Sequence, residues 1–198
     1  EVAPFSVSKA SHHILKSIPS HLTLHLSNSM PVRYAELFGV SSNIEVRSNR
    51  GTSGIDGCTS TVMGTSLVSD QIQVLMTGDL AFLYDRNAFF HNYHFPNLRI
   101  IVLNNQGGGI FRLIDGPAQL AELENFFETR HNRTAEYLCA ENGIEYLKAS
   151  DEATLHDHLS SFYEKSDRAK VLEVMTDPNV NQQAYKALKQ YIHEQTHH

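Results

Sequence analysis

Two stretches decide the fold: VLMTGDLAFLYDRNAFF (74–90) and RIIVLNNQGGGIF (99–111). Each opens with an apolar run of strand length and stops abruptly at small polar residues, Gly78-Asp79 in the first and Asn104-Asn105 in the second. Runs that stay apolar, rather than alternating, fit strands covered by helices on both faces, and therefore a parallel sheet. The flanking sequence continues this rhythm. Val7, Ala10, Ile14, Leu15 and Ile18 repeat at helical spacing, LTLHL (22–26) reads as a strand, and Pro31 opens a short helix through Phe38. NIEVR (43–47) is a strand, the loop SNRGTSGIDG (48–57) follows, and small residues from 59 to 68 form a helix. The remaining expectations are strands at 72–77, 98–103, 144–149 and 170–176, with helices at 80–90, 117–129, 133–142, 151–164 and 178–193. Six strands, nearly all joined by helical crossovers, predict one doubly wound α/β domain over residues 1–198, with a mostly parallel six-stranded sheet and helices on both faces.

Composition narrows the function. At 198 residues and 41% apolar content the chain can bury a proper core. No uninterrupted apolar run is long enough to span a membrane. Net charge is −6, and the 16 Lys and Arg are scattered, which argues against a nucleic-acid surface. Cys58 and Cys139 lack metal spacing and are too few for a disulfide framework, as in a reducing cytoplasm. The opening EVAPFSVSK has neither an initiator Met nor signal-peptide character and reads as an internal cut in a longer chain.

In a doubly wound sheet, ligands bind beyond the carboxyl ends of the strands. Gly78-Asp79, Asn104-Asn105-Gln106-Gly107 and the loop SNRGTSG (48–54) all fall there. A carboxylate and an amide carbonyl are hard oxygen donors suited to Mg²⁺, which completes its shell with phosphate oxygens. Gly107, Gly108 and Gly109 let the backbone approach such a phosphate closely. Alternatively, Asp79 caps a helix that begins at Leu80, and the Asn-Gly cluster is a tight turn. One carboxylate can cap and bind metal together, so neither reading removes the other.

Gly-Asp at one strand end and Asn-Asn at the next resembles the thiamine-diphosphate fingerprint, with Leu80 in place of that motif's second glycine. Together NSMPVR (28–33), SNRGTSGIDG (48–57), GDLAFLYDRNA (78–88) and NNQGGGIF (104–111) resemble the 2-succinyl-5-enolpyruvyl-6-hydroxy-3-cyclohexene-1-carboxylate synthases of menaquinone biosynthesis. The resemblance implies a carboxyl-terminal domain that binds thiamine diphosphate and Mg²⁺ or Mn²⁺, the metal held by Asp79, Asn105 and the Gly107 carbonyl. It places Gly54, Gly78, Leu80, Gly108, Ile110 and Phe111 around the cofactor and Ile55 beneath its aminopyrimidine. It gives Arg33, Arg50 and Ser29 to the carboxylates of 2-oxoglutarate and isochorismate. Guanidinium groups suit such dianions. The implied reaction decarboxylates 2-oxoglutarate and adds the succinyl unit to isochorismate. It also implies that the glutamate facing the aminopyrimidine belongs to an amino-terminal domain of a second subunit. On that reading the pyrimidine-binding and middle domains are absent, the complete enzyme is a homodimer or homotetramer, and this piece alone does not turn over. The equivalent domain or subunit of another thiamine-dependent carboligase or 2-oxo acid decarboxylase is the alternative, and a non-catalytic α/β module a third.

The 12 histidines offer no metal pattern in sequence. His91 and His94 lie in a loop without an acidic partner, and His12-His13 and the terminal THH read as surface.

Overall fold

The computed structural model describes residues 4–114 and 116–196. Six strands form one sheet in the order β2–β1–β3–β4–β6–β5. They are β1 Thr23–Leu26, β2 Glu45–Ser48, β3 Gln73–Gly78, β4 Leu98–Asn104, β5 Glu145–Ala149 and β6 Lys170–Met175. Every neighbouring pair is parallel, so the sheet is wholly rather than mostly so. The helices are α1 Val7–Ser17, α2 Met30–Phe38, α3 Cys58–Leu67, α4 Asp79–Tyr84, α5 Glu136–Glu141, α6 Glu152–Phe162 and α7 Pro178–Thr196.

The apolar runs work as their composition requires. On one face, Val74 and Met76 of β3 and Ile101 and Leu103 of β4 pack under Ile14 of α1, Tyr34 of α2 and Leu155 of α6. On the other, Leu75, Ile100 and Val102 meet Val62 of α3, Phe82 of α4 and Leu138 of α5. Full burial of such a side chain contributes ~1.5–3 kcal/mol, and both faces of β3 and β4 collect it. Ser6 and Asp151 cap α1 and α6, their side chains accepting from the amides of Lys9 and Thr154.

The chain leaves β1 into α2 on one face and leaves β3 into α4 on the opposite face. This divergence opens a crevice beyond the carboxyl ends of the strands. Three helical expectations need correction. The helix expected over 80–90 ends at Tyr84, and a 3₁₀ turn spans Arg86–Phe89. The Asp85 carboxylate instead accepts from the amide and hydroxyl of Ser60, both at 2.7 Å, satisfying the first turn of α3. Over 117–129 there is a 3₁₀ turn at Pro117–Gln119 and a π turn at Leu123–Phe127 rather than one helix. Over 133–142 only Glu136–Glu141 is helical, because the Arg133 carbonyl is engaged by Asn104 of the sheet. His197 and His198, read as surface, lie outside the described residues.

Candidate metal and diphosphate site

Register brings the two polar strand ends together. Gly78 of β3 is level with Leu103 of β4, and Asn104 is level with Met175 of β6. Asp79 therefore emerges beside the Asn104–Asn105 turn. Its Oδ1 accepts from the Leu80 amide at 2.7 Å and its Oδ2 from the Gly107 amide at 2.9 Å. The helix starts one residue earlier than expected, at Asp79, and the side chain still satisfies a first-turn amide. The N-cap is therefore Gly78 rather than Asp79, whose carboxylate accepts from a first-turn amide from inside the helix.

Asp79 is only 3% exposed, and among the described residues no Lys or Arg pairs with it. Among the described residues the basic group against it is His131, whose Nε2 lies 3.4 Å from Oδ2. His131 Nδ1 accepts from the Arg133 amide at 3.1 Å, while Nε2 is buried and makes no hydrogen bond. A buried carboxylate held by two amides and no fixed cation is a place where a metal ion lowers the energy.

The two asparagines divide the work. Asn104 is 1% exposed, and its Nδ2 donates to Glu173 Oε1 at 2.7 Å and to the Arg133 carbonyl at 3.0 Å. Its Oδ1 accepts from the Gln106 amide at 3.0 Å, which closes the turn. Glu173, itself 1% exposed, also accepts from the Ala135 amide at 3.0 Å and the Tyr146 hydroxyl at 2.6 Å. Burial and the adjacent Glu173 carboxylate push the Tyr146 hydroxyl well above its ordinary pKa, so it stays a donor. Asn105, by contrast, lines the crevice half-buried, and its side chain has no hydrogen-bond partner among the described residues. Its amide oxygen is available as a ligand.

The turn between them needs glycine. Gln106 and Gly107 have φ of 64° and 150°. A Cβ on Gly107 would lie 2.7 Å from the Glu128 carbonyl oxygen, and one on Gly109 would collide with the Asn105 amide. The Gly107 carbonyl already accepts from the Gly109 amide at 2.9 Å, with a second lone pair to spare.

The cleft has a volume of about 210 Å³. Ser29, Ile55, Gly78, Asp79, Leu80, Asn105, Gly107, Gly108, Ile110 and Phe111 all line it. Arg33, Arg50 and Gly54 do not. Arg33 turns back to donate to the Ser29 carbonyl at 2.7 Å. Arg50 donates to Asn28 Oδ1 at 2.8 Å, and Asn28 Nδ2 donates to the Gly54 carbonyl at 2.6 Å. Both touch the site through a residue that lines it. Asn28, 2% exposed, also donates to the Asn49 carbonyl at 2.8 Å and so ties the loop after β2 to the end of β1. Ser29 holds a φ of 74°, an unusual backbone for a non-glycine at a site.

Sequence reasoning missed Asn28, His131, Arg112 and Asn181. Asn28 stood inside a quoted motif, and its burial was the missing signal. Arg112 lines the cleft but is already neutralised by Glu128 and Glu124, and the Glu128 hydrogen bond foremost raises its pKa. Asn181 of α7 accepts from the Val7 amide at 2.7 Å, closing the cleft with a residue far away in sequence.

Fold and crevice together define a parallel, doubly wound α/β protein with hard oxygen donors at the carboxyl edge of its sheet. No protein-family model matches the chain. It is 47% identical over 191 residues to the 2-succinyl-5-enolpyruvyl-6-hydroxy-3-cyclohexene-1-carboxylate synthase of Cytophaga hutchinsonii, covering 96% of this chain and 34% of that protein. It is 46% identical over 178 residues to the synthase of that name from Flavobacterium psychrophilum, covering 90% of this chain and 32% of that protein. The Porphyromonas gingivalis synthase is 44% identical over 191 residues, 96% of this chain and 33% of that protein. By this similarity the chain belongs to the family of 2-succinyl-5-enolpyruvyl-6-hydroxy-3-cyclohexene-1-carboxylate synthases, and it spans about a third of the length of these curated relatives. No described helix is long and apolar enough to cross a membrane.

Proposed function

We propose that this chain is the part of such a synthase that holds thiamine diphosphate through a divalent cation, Mg²⁺ or Mn²⁺. The observation that carries the reading is the buried carboxylate of Asp79 beside the amide of Asn105, neither of which has a Lys or Arg partner among the described residues. Asp79, the Asn105 amide oxygen and the Gly107 carbonyl would hold the ion. The backbone of Gly108 and Gly109 would lie against the diphosphate. Ile55, Ile110 and Phe111 give the cleft apolar walls that shield a ring from water. When bound, the cofactor supplies the electron sink for decarboxylating a 2-oxo acid. The protein's part is to orient it and to exclude water.

The substrates would be 2-oxoglutarate and isochorismate. Arg33 and Arg50 stand at the rim, each now bonded to the backbone or side chain of a cleft-lining residue, and a dianion would draw them inward. The glutamate for the aminopyrimidine would come from the amino-terminal domain of a second subunit.

Titration of thiamine diphosphate with Mg²⁺ tests the reading. Binding is expected for the wild type, with the metal-dependent part lost in Asp79→Ala. No binding in the complete synthase, or equal binding by the variant, overturns it. In the complete enzyme Arg50→Ala is expected to raise KM for a dianionic substrate by ~2–5 kcal/mol equivalent while sparing cofactor affinity.

A further inference from the structure

α1 and α6 lie side by side on one face of the sheet, and their outer surfaces bring three ligand-type side chains together. Glu152 and His156 are one turn apart on α6, and His13 reaches across from α1. One donor atom from each lies within 4.8 Å of the others. His13 Nε2 is 2.9 Å from Glu152 Oε1, and the rings of His13 and His156 are 4.6 Å apart between centroids. The other Glu152 oxygen, Oε2, is 2.6 Å from the Lys9 ammonium.

We propose that His13, Glu152 and His156 form a second metal site, for a borderline divalent ion such as Zn²⁺, which clamps α1 to α6. Zinc takes imidazole nitrogen at about 2.0 Å and carboxylate oxygen at about 2.0–2.2 Å in tetrahedral array, so its ligands stand about 3.3 Å from one another. The observed separations close to that spacing through small side-chain rotations, because His156 is exposed and free to turn. Three protein ligands leave a fourth position for water. Lys9 engages the distal carboxylate oxygen, directing Oε1 at the imidazoles as an outer-shell partner does.

Protonation favours the same outcome. Desolvation first, then the neighbouring His156, hold His13 below the ordinary histidine pKa. Glu152 opposes this, and His12 stands 5.8 Å from the His13 ring. A shift in this direction favours the neutral imidazole, the form that ligates a metal. The two sites divide metals by softness: imidazole-rich at the helices, all-oxygen in the cleft. Nothing in the sequence announces the helix site, since His13 and His156 belong to elements that only the fold brings together.

Zn²⁺ titration against a chromophoric chelator, with millimolar Mg²⁺ present to occupy oxygen sites, is the test. The wild type is expected to bind one Zn²⁺ at micromolar or better affinity. His156→Ala, on an exposed position remote from the core, is expected to weaken that binding at least about tenfold. His94→Ala, in the other histidine-bearing loop, is expected to leave it unchanged. Co²⁺ is expected to give the intense visible bands of a tetrahedral site in wild type alone, and Zn²⁺ is expected to raise Tm in wild type but not in His156→Ala. Identical isotherms for wild type and His156→Ala, or no ion retained at tens of micromolar, overturn the proposal.

Discussion

The cleft has two unlike halves. One is carried on strand ends: Asp79 after β3, Asn104-Asn105 after β4 and Glu173 inside β6. Its backbone continues the sheet ladder, with the Ser27 amide donating to the Met76 carbonyl and the Thr176 amide to the Asn104 carbonyl, both at 3.0 Å. The other half is the segment from Gln106 to Arg133, whose described residues form only short 3₁₀ and π turns. It is pinned by the Gly108 amide to the Glu128 carbonyl at 2.7 Å, by the His131 amide to the Gln106 carbonyl at 3.2 Å, and by Arg112 to Glu124 and Glu128. The candidate oxygen donors thus sit on the cooperative core, where position is set to the accuracy of the sheet. The walls that must admit a ligand are held by fewer, more separable contacts.

The largest effect is expected where the strand half is anchored. Glu173→Ala leaves the Asn104 amide, the Ala135 amide and the Tyr146 hydroxyl without their acceptor, at ~1–3 kcal/mol for each orphaned group. Urea denaturation should show a global loss of stability, and a loss under ~1 kcal/mol would mean the network does not anchor the turn. Gly107→Ala comes next. Its Cβ meets a backbone oxygen of the second half, so a cost of ~2–3 kcal/mol is expected, together with undocking of residues 108–130. Hydrogen exchange should quicken there and not in β3 or β4.

Arg112→Ala is expected to act more locally. It strands the Glu128 carboxylate, a side chain only 4% exposed, and should cost ~2–4 kcal/mol against local opening, less if Glu128 swings into water. Equal quickening of exchange in the strands would erase the distinction between the halves.

The smallest effect is one of pH. His25 of β1, buried and hydrogen-bonded to Gln73 at 3.0 Å, has its pKa lowered from 6.5, chiefly by desolvation. The unfolded chain then binds more protons, so the strand half keeps its stability above pH 6.5 and loses it as pH falls through the lowered value. In the segment, the Arg112 hydrogen bond lowers Glu124 from 4.5, so that contribution is lost only as pH falls below the ordinary carboxylate range. Urea midpoints between pH 7.5 and 5.5 should therefore fall in wild type and fall less in His25→Gln, with His13 supplying the remainder. Equal slopes for both proteins would remove His25 from the account.

The strands were legible because burial on both faces leaves a continuous apolar run. The paired strand-end motifs were legible because they are local. The single helix expected over 117–129 is absent because Leu120, Leu123, Phe126 and Phe127 only imitate a helical stripe. In the fold Leu120 and Phe126 are exposed, and Arg112, from outside the stripe, draws Glu124 and Glu128 instead. The helix over 80–90 was cut short for a similar reason, Asp85 being taken up by α3. Arg33 and Arg50 could be named from their motifs, but not their present partners on Ser29 and Asn28.

By itself the sequence determined a doubly wound α/β sheet, a set of oxygen donors at its carboxyl edge and a family, because strand burial and turn chemistry are written in adjacent residues. Packing alone sets the rest: among the described residues Asp79 has no Lys or Arg partner, Asn104 locks while Asn105 stays open, and His13 meets Glu152 and His156. Each of these depends on which side chains a register or a helix packing brings within a few ångströms, and that proximity has no trace in local sequence.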